Sequence, residues 1–177
     1  MKHRNICLAL FASSLLFSSV AQAATVSGQV NSSLVLTSAC VVNGASGTTG
    51  LNFGSMNFGT ATALFTQVSA QVLGGGGGAL SILCSGGVVP VLRVGAGSHD
   101  GRASGGLRAL ADGAGNYIAY DFYTDGAATS LMPVNATITL PTSTGVAQTV
   151  NLYGKALGKA GLPVGRYTDT VAVELSF

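Results

Sequence analysis

The chain has 177 residues and a formal net charge of +2, from eight Lys and Arg against six Asp and Glu. Only 8% of its residues are charged and 47% are hydrophobic. That excludes an electrostatic footprint for nucleic acid or anionic lipid, and the length suits one domain. Few charges also give little colloidal repulsion, as suits a surface meant to be covered by neighbours.

Residues 1–23 read as a secretion signal. Lys2, His3 and Arg4 make a basic start, residues 6–17 are apolar, and Ala21-Gln22-Ala23 is the pattern after which cleavage is expected. The apolar stretch is shorter than the about 20 residues a membrane span needs. Cys7 lies far from the cleavage point, which argues against a lipoprotein anchor, and no later segment is long and apolar enough to insert in a membrane. Cleavage removes Lys2 and Arg4, so the remaining basic side chains (Arg93, Arg102, Arg108, Lys155, Lys159 and Arg166) balance the six acids.

Residues 24–36 follow as an alternating segment. Val26, Gly28, Val30, Ser32, Leu34 and Leu36 share one face at period two, and Thr25, Ser27, Gln29, Asn31 and Ser33 share the other. A strand with one apolar face needs a sheet to pair with. If its own domain does not supply one, a second copy can.

Strands are then expected around 37–42, 66–73, 80–84, 88–94, 117–123, 136–140, 148–154 and 167–177. They are separated by Asn43-Gly44, the glycine run 74–78, Ser85-Gly86-Gly87, residues 95–106, Asp112-Gly113, Asp125-Gly126 and residues 158–165. No amphipathic helical period persists over three turns, and 107–111 is read as at most one short helical turn. Short strands with Gly-rich turns and no helices between them point to an antiparallel β-sandwich. Asn52-Phe53-Gly54 and Asn57-Phe58-Gly59 form a local echo too short for a repeat architecture, and Phe53 and Phe58 are read as core.

With Cys7 lost in the signal, Cys40 and Cys84 are an even pair in an oxidising compartment, and a disulfide is expected. Closing the loop between them is worth about 4 kcal/mol in the chain-entropy model. Two Cys and one His are too few for a zinc site, and there is no C-x-x-C.

Enzyme readings fare poorly. His99 sits in Gly97-Ser98-His99-Asp100-Gly101, where Ser, His and Asp are sequence neighbours rather than a triad converging from separate segments. It reads as a solvated loop histidine. Asp112, Asn116, Asp121 and Asp125 do not have calcium-loop spacing. The 74–78 glycine run lacks the Gly-Lys-Ser/Thr ending of a phosphate cradle and reads as a flexible loop. No catalytic residue, cofactor or metal is expected.

An ordered set of motifs resembles the spore coat protein U domain family, the subunits of archaic chaperone–usher pili. The set comprises the alternating segment running into Cys40, Phe53-Gly54 with Asn57-Phe58-Gly59, and Ser81-Ile82-Leu83-Cys84. Ile118-Ala119-Tyr120-Asp121-Phe122-Tyr123 and the ending Gly165-Arg166-Tyr167 through Phe177 complete it. With one domain and one N-terminal segment, the chain looks most like a major rod pilin. The resemblance implies an all-β fold: an incomplete immunoglobulin-like antiparallel β-sandwich lacking its final strand, completed by donor-strand exchange. It implies a donor strand at 24–36 and a pilin domain at 37–177. The implied partners are identical pilin subunits in a filament, a periplasmic chaperone, an outer-membrane usher, and tip or adaptor pilins, with export through the periplasm to the cell surface.

On these residues, Val171, Val173, Leu175 and Phe177 form the apolar face of the last strand and are expected to line the acceptor groove. Val26, Val30 and Leu34 are the donor side chains expected to fill it, with Gly28 and Ser32 where it is shallow. Tyr167 stands at a tyrosine-corner position, expected to donate its hydroxyl to backbone. The alternative function class is a monomeric secreted or coat-associated sandwich that binds sugar or a surface through its Gly-rich loops.

Overall fold

The computed structural model describes residues 23–177; the expected signal segment, apart from Ala23, lies outside the described residues. Two units divide the chain, one ending at Val35 and the other spanning Leu36–Phe177. In the first, residues 23–35 have no regular secondary structure and every side chain is exposed.

The second unit holds thirteen strands and, among the described residues, no helix, so none is long and apolar enough to cross a membrane. They are β1 (Cys40–Val42), β2 (Ala45–Ser46), β3 (Ser55–Met56), β4 (Gln67–Leu73), β5 (Leu80–Cys84), β6 (Val91–Gly97) and β7 (Arg108–Ala111). The remainder are β8 (Tyr117–Tyr123), β9 (Leu131–Met132), β10 (Ala136–Thr139), β11 (Gln148–Val150), β12 (Tyr153–Leu157) and β13 (Val171–Ser176).

Three antiparallel sheets result. One runs β11-β5-β1-β2, a second β10-β6-β13, and the third β3-β4-β12-β8-β7, with β9 also on β8. The first two are stitched together between β5/β6 and β10/β11, where Leu140 N–H donates to Pro90 and Ser143 N–H to Val88. Alternation turns Leu80, Ile82, Leu92 and Val94 inward from these sheets. They meet Val72, Ile118, Tyr120, Phe122 and Ala156 of the third in one core cluster. Strand β8 lies between β12 and β7 and is buried on both faces beyond Tyr117, which is why its sequence is apolar and aromatic with little alternation.

The expected strands at 80–84 and 117–123 have the observed bounds. Others differ for physical reasons. Residues 107–111 are not a helical turn: Arg108–Ala111 pair with β8 from Arg108↔Tyr120 to Ala111↔Tyr117, so sheet pairing overrides the helix preference of Ala and Leu. The stretch 148–154 is two strands, because β11 pairs with β5 while β12 lies between β4 and β8, and the chain changes sheets at Asn151-Leu152. β6 begins only after Pro90, which has no N–H for a ladder. It continues to Gly97, with Gly95 and Ala96 opposite Ala172 alone in a bulge.

The final segment also changes sheets. Thr168 exchanges two backbone hydrogen bonds with Ala111 of β7 (2.8 and 2.9 Å), whereas β13, starting at Val171, pairs with β6. The residues just before this crossing are tied down by Tyr167, whose hydroxyl donates to the Pro163 carbonyl at 2.9 Å as expected.

Cys40 and Cys84 are disulfide-bonded, with a Cα–Cα distance of 4.0 Å. They face each other across β1 and β5, next to the Ala39–Ser85 hydrogen bond. That makes theirs a non-hydrogen-bonded pair, the position in an antiparallel ladder where side chains come closest.

Candidate functional site

β13 is hydrogen-bonded to β6 on one side only, so among the described residues its other edge is open. An edge of this kind presents a row of backbone N–H and C=O groups without partners. Along the strand Val171, Val173 and Leu175 are partly buried against the core, while Ala172, Glu174 and Ser176 are exposed. Outward, Glu174 pairs with Arg93 at 3.2 Å, and Arg93 also donates to Asn135 at 2.7 Å.

Beside the open edge lies a groove of about 450 Å³, with Val171 and Val173 on one wall and Leu51, Phe53, Met56 and Phe58 on the other. Its floor is the core itself: Val72, Leu80, Val94, Leu110, Tyr120, Phe122 and Leu152. A second cavity of about 790 Å³ continues it between residues 55–65 and 162–169, over Val68, Ile118 and Ala156. Ser55, Met56, Phe58, Leu110 and Asp169 line both cavities. An apolar core reachable from outside beside a free sheet edge can receive one more strand: backbone bonds along the edge and side chains in the groove.

The far wall is made by the tandem Asn-Phe-Gly motifs. The Asn52 side-chain oxygen accepts from Gly54 N–H and that of Asn57 from Gly59 N–H, both at 2.8 Å. Each is a side-chain-closed turn, and each leaves its Phe, 53 or 58, half-buried with a face toward the groove. The core reading of both rings is thereby modified: they are core on one side and wall on the other. Behind them Met56 packs over Gly154 of β12, where a β-carbon would overlap the methionine side chain.

Where the chain crosses between sheets, the Asp169 carboxylate is almost fully buried and fully bonded. Oδ2 accepts from the Tyr120 hydroxyl at 2.8 Å, and Oδ1 accepts from Ser98 N–H and faces His99 Nδ1, both at 3.0 Å. Burial, reinforced by the bond to Asp169, pushes the Tyr120 hydroxyl far above its ordinary range and keeps it protonated. Nearby, buried Arg108 donates to the Gly95 carbonyl at 2.8 Å, stacks over Phe122 and lies 3.7 Å from Asp100. His99 is therefore not a solvated loop residue: its side chain is 34% exposed and held by a carboxylate from a distant segment. No motif spacing announces this cluster, since its members come from four separate stretches of chain.

Of the expected groove residues, Val171 and Val173 line the cavity, Leu175 packs on the core, and Phe177 lies beyond β13 at 52% exposure. Val26, Val30 and Leu34 are 99%, 96% and 83% exposed; Gly28 and Ser32 are exposed with them. Asp121 accepts from Leu107 N–H, and Asp125 caps Thr129 and Ser130. Burial pushes the Asp121 carboxyl up, whereas the hydrogen bond to Ser130 N–H leads those that hold Asp125 down. Asp112, held down by Asn116, closes the turn before β8. Among the described residues no group of three or more potential ligands could hold a metal ion. The 74–78 run is a turn closed by Gly74 N–H to the Gly78 carbonyl, with Gly74 half-buried and residues 75–78 exposed.

Fold and site together define an antiparallel β-sandwich with an open edge and a core-deep groove beside it. The chain belongs to the Spore Coat Protein U domain family, whose model matches residues 26–174. No curated protein matches it. Among solved structures it is similar, at 16% identity and a TM-score of 0.46, to a chain from the CsuC–CsuE chaperone–tip adhesion subunit pre-assembly complex of archaic chaperone–usher Csu pili of Acinetobacter baumannii. The similarity covers 79% of this chain and 40% of that one.

Proposed function

We propose that this protein is a structural pilus subunit, the major rod pilin of an archaic chaperone–usher pilus, which polymerises head-to-tail by donor-strand complementation and supports surface attachment and biofilm formation. Residues 1–23 direct export, 24–36 are the donor strand, and 37–177 are the pilin domain. The observation that carries the reading is the co-occurrence in one chain of an acceptor and a matching donor. The acceptor is the open edge of β13 with a groove reaching Leu80, Val94 and Phe122. The donor is an exposed segment with Val26, Val30 and Leu34 on one face.

Burying those three side chains contributes about 5–9 kcal/mol before the backbone ladder is counted. Exchange of this kind joins different surfaces of successive copies and does not close on itself, so the product is a filament. Until a neighbour arrives, the groove is an aggregation hazard. A periplasmic chaperone covers it in the meantime, and an outer-membrane usher exchanges one occupant for the next, with tip or adaptor pilins at the distal end.

The test is direct. A chain beginning at residue 36 is refolded from denaturant in the presence of a synthetic peptide of residues 24–36, or of the same peptide carrying Ser in place of Val26, Val30 and Leu34, and the soluble complex is isolated. Tight one-to-one binding of the first peptide alone is expected. Equal binding of both, or of neither, refutes the donor assignment.

A further inference from the structure

The groove's far wall is paired to β4 through Ser55 and Met56, and its leading end is tied by one side chain that lies outside the groove. Asn43 occupies the β1–β2 turn with φ of 50°, followed by Gly44 at 81°; this mirror-image turn favours Asn-Gly. The turn alone would be satisfied by any Asn or Gly, yet the Asn43 amide is used at both ends. Its oxygen accepts from Ser81 N–H at 3.0 Å, beside its own N–H donating to the Ser81 carbonyl at 2.8 Å. Its Nδ2 donates to the Asn52 carbonyl at 2.9 Å. Asn52 is the residue whose side chain closes the first Asn-Phe-Gly turn and so sets Phe53.

A second observation accounts for part of the glycine run. A β-carbon on Gly74 would overlap the Asn43 amide oxygen, whereas one on Gly75, Gly76, Gly77 or Gly78 would meet nothing. Gly74 is thus the one member of the run whose lack of a side chain the packing demands, and what it makes room for is Asn43.

We propose that Asn43, seated against Gly74, is the positioning residue that bolts the 51–59 wall to β5 and sets the width of the groove. This rests on the reading of the groove as the acceptor of a donor strand. Replacing the amide by a carboxylate keeps the turn and the acceptor for Ser81 but turns the bond to Asn52 into a carboxylate facing a carbonyl. The wall then loses its tie to β5 at Asn52, while its β3–β4 pairing, the β1–β5 ladder and the disulfide stay. Asn57 is the internal control, since its side chain acts only as an acceptor and Asn57→Asp preserves that bond.

The experiment combines two readouts on the chain beginning at residue 36, refolded with and kept as its complex with peptide 24–36. Peptide 24–36 binding is measured by dissociation rate, and amide hydrogen exchange is read segment by segment, for the unaltered chain, Asn43→Asp, Gly74→Ala and Asn57→Asp. Asn43→Gly, which keeps the positive φ and removes the whole amide, replaces Asn43→Asp if that variant does not fold. The expected result is dissociation roughly tenfold faster in Asn43→Asp and Gly74→Ala, with faster exchange confined to 51–59 and no change in Asn57→Asp. Failure of the unaltered chain to bind the peptide overturns the donor reading itself. If that chain binds, unchanged dissociation in Asn43→Asp, or exchange accelerated throughout the domain, overturns the Asn43 assignment.

Discussion

Val30→Asp is the most exacting test of the donor segment. Val30 is 96% exposed in the free segment, so nearly all of its side chain is available for burial when the groove takes it up. Removing it forfeits about 2 kcal/mol, and placing a carboxylate against a floor of Leu80, Val94 and Phe122 costs several more unless the charge escapes to water. The sum, about 4–6 kcal/mol, is three to four orders of magnitude in affinity. None of this touches the folded domain, where Val30 has no partner to lose. The variant should therefore be exported and fold as the unaltered chain does, and fail to polymerise. Electron microscopy and sedimentation of surface-sheared material read the outcome, with Val26→Asp and Leu34→Asp alongside. Normal fibres from all three would refute the assignment of the apolar face.

Alkaline pH should unfold the domain through Tyr120. Its folded pKa is raised, so its contribution is fully present below the unfolded value of about 10 and is lost as pH rises past it. Tyr120→Phe should remove that part of the alkaline loss and cost about 1–3 kcal/mol at neutral pH by leaving Asp169 short of a donor; urea titrations at both pH values decide, and an unchanged neutral midpoint sinks the claim. Replacing Cys40 and Cys84 together by Ser should lower stability by about 4 kcal/mol, seen as a lower urea midpoint under oxidising conditions. A chain lacking residues 24–33 should be aggregation-prone, and fusing residues 24–36 after Phe177 through a flexible linker should restore solubility and raise the melting temperature. Equal melting of fused and unfused forms would mean that no strand is missing.

What the sequence disclosed follows the range of the forces involved. Leu80–Cys84 and Tyr117–Tyr123 were legible because each carries its own pattern, alternation in one and an unbroken aromatic and apolar run in the other. The disulfide was legible from counting. Arg108–Ala111 was not, since Arg, Ala and Leu favour helix locally and only β8 makes them a strand. Nor was the change of sheet at Asn151-Leu152, where two strand-like stretches adjoin with nothing local to divide them. The Asn-Phe-Gly echo was visible as text, but its meaning as a wall depends on Asn43 and β4 meeting it from elsewhere. The Asp169–Tyr120–His99 cluster was hidden for the same reason: each member is ordinary in its own segment.

The position of the disulfide has a mechanical consequence. If subunits polymerise as proposed, each is loaded at two points, where residues 36–39 enter β1 and where β13 pairs with the next donor. Between them the Cys40–Cys84 bond offers a covalent short cut: tension entering β1 passes straight to β5, then along residues 85–90 into β6, the strand to which β13 is laced. The stretch from the β1–β2 turn to the start of β5, including the 51–59 wall, lies off that route. Stretching a rod of such subunits would thus load β5, β6 and β13 as a taut spine while leaving the 51–59 wall slack, so that side of the grip would keep its shape at forces that strain the backbone.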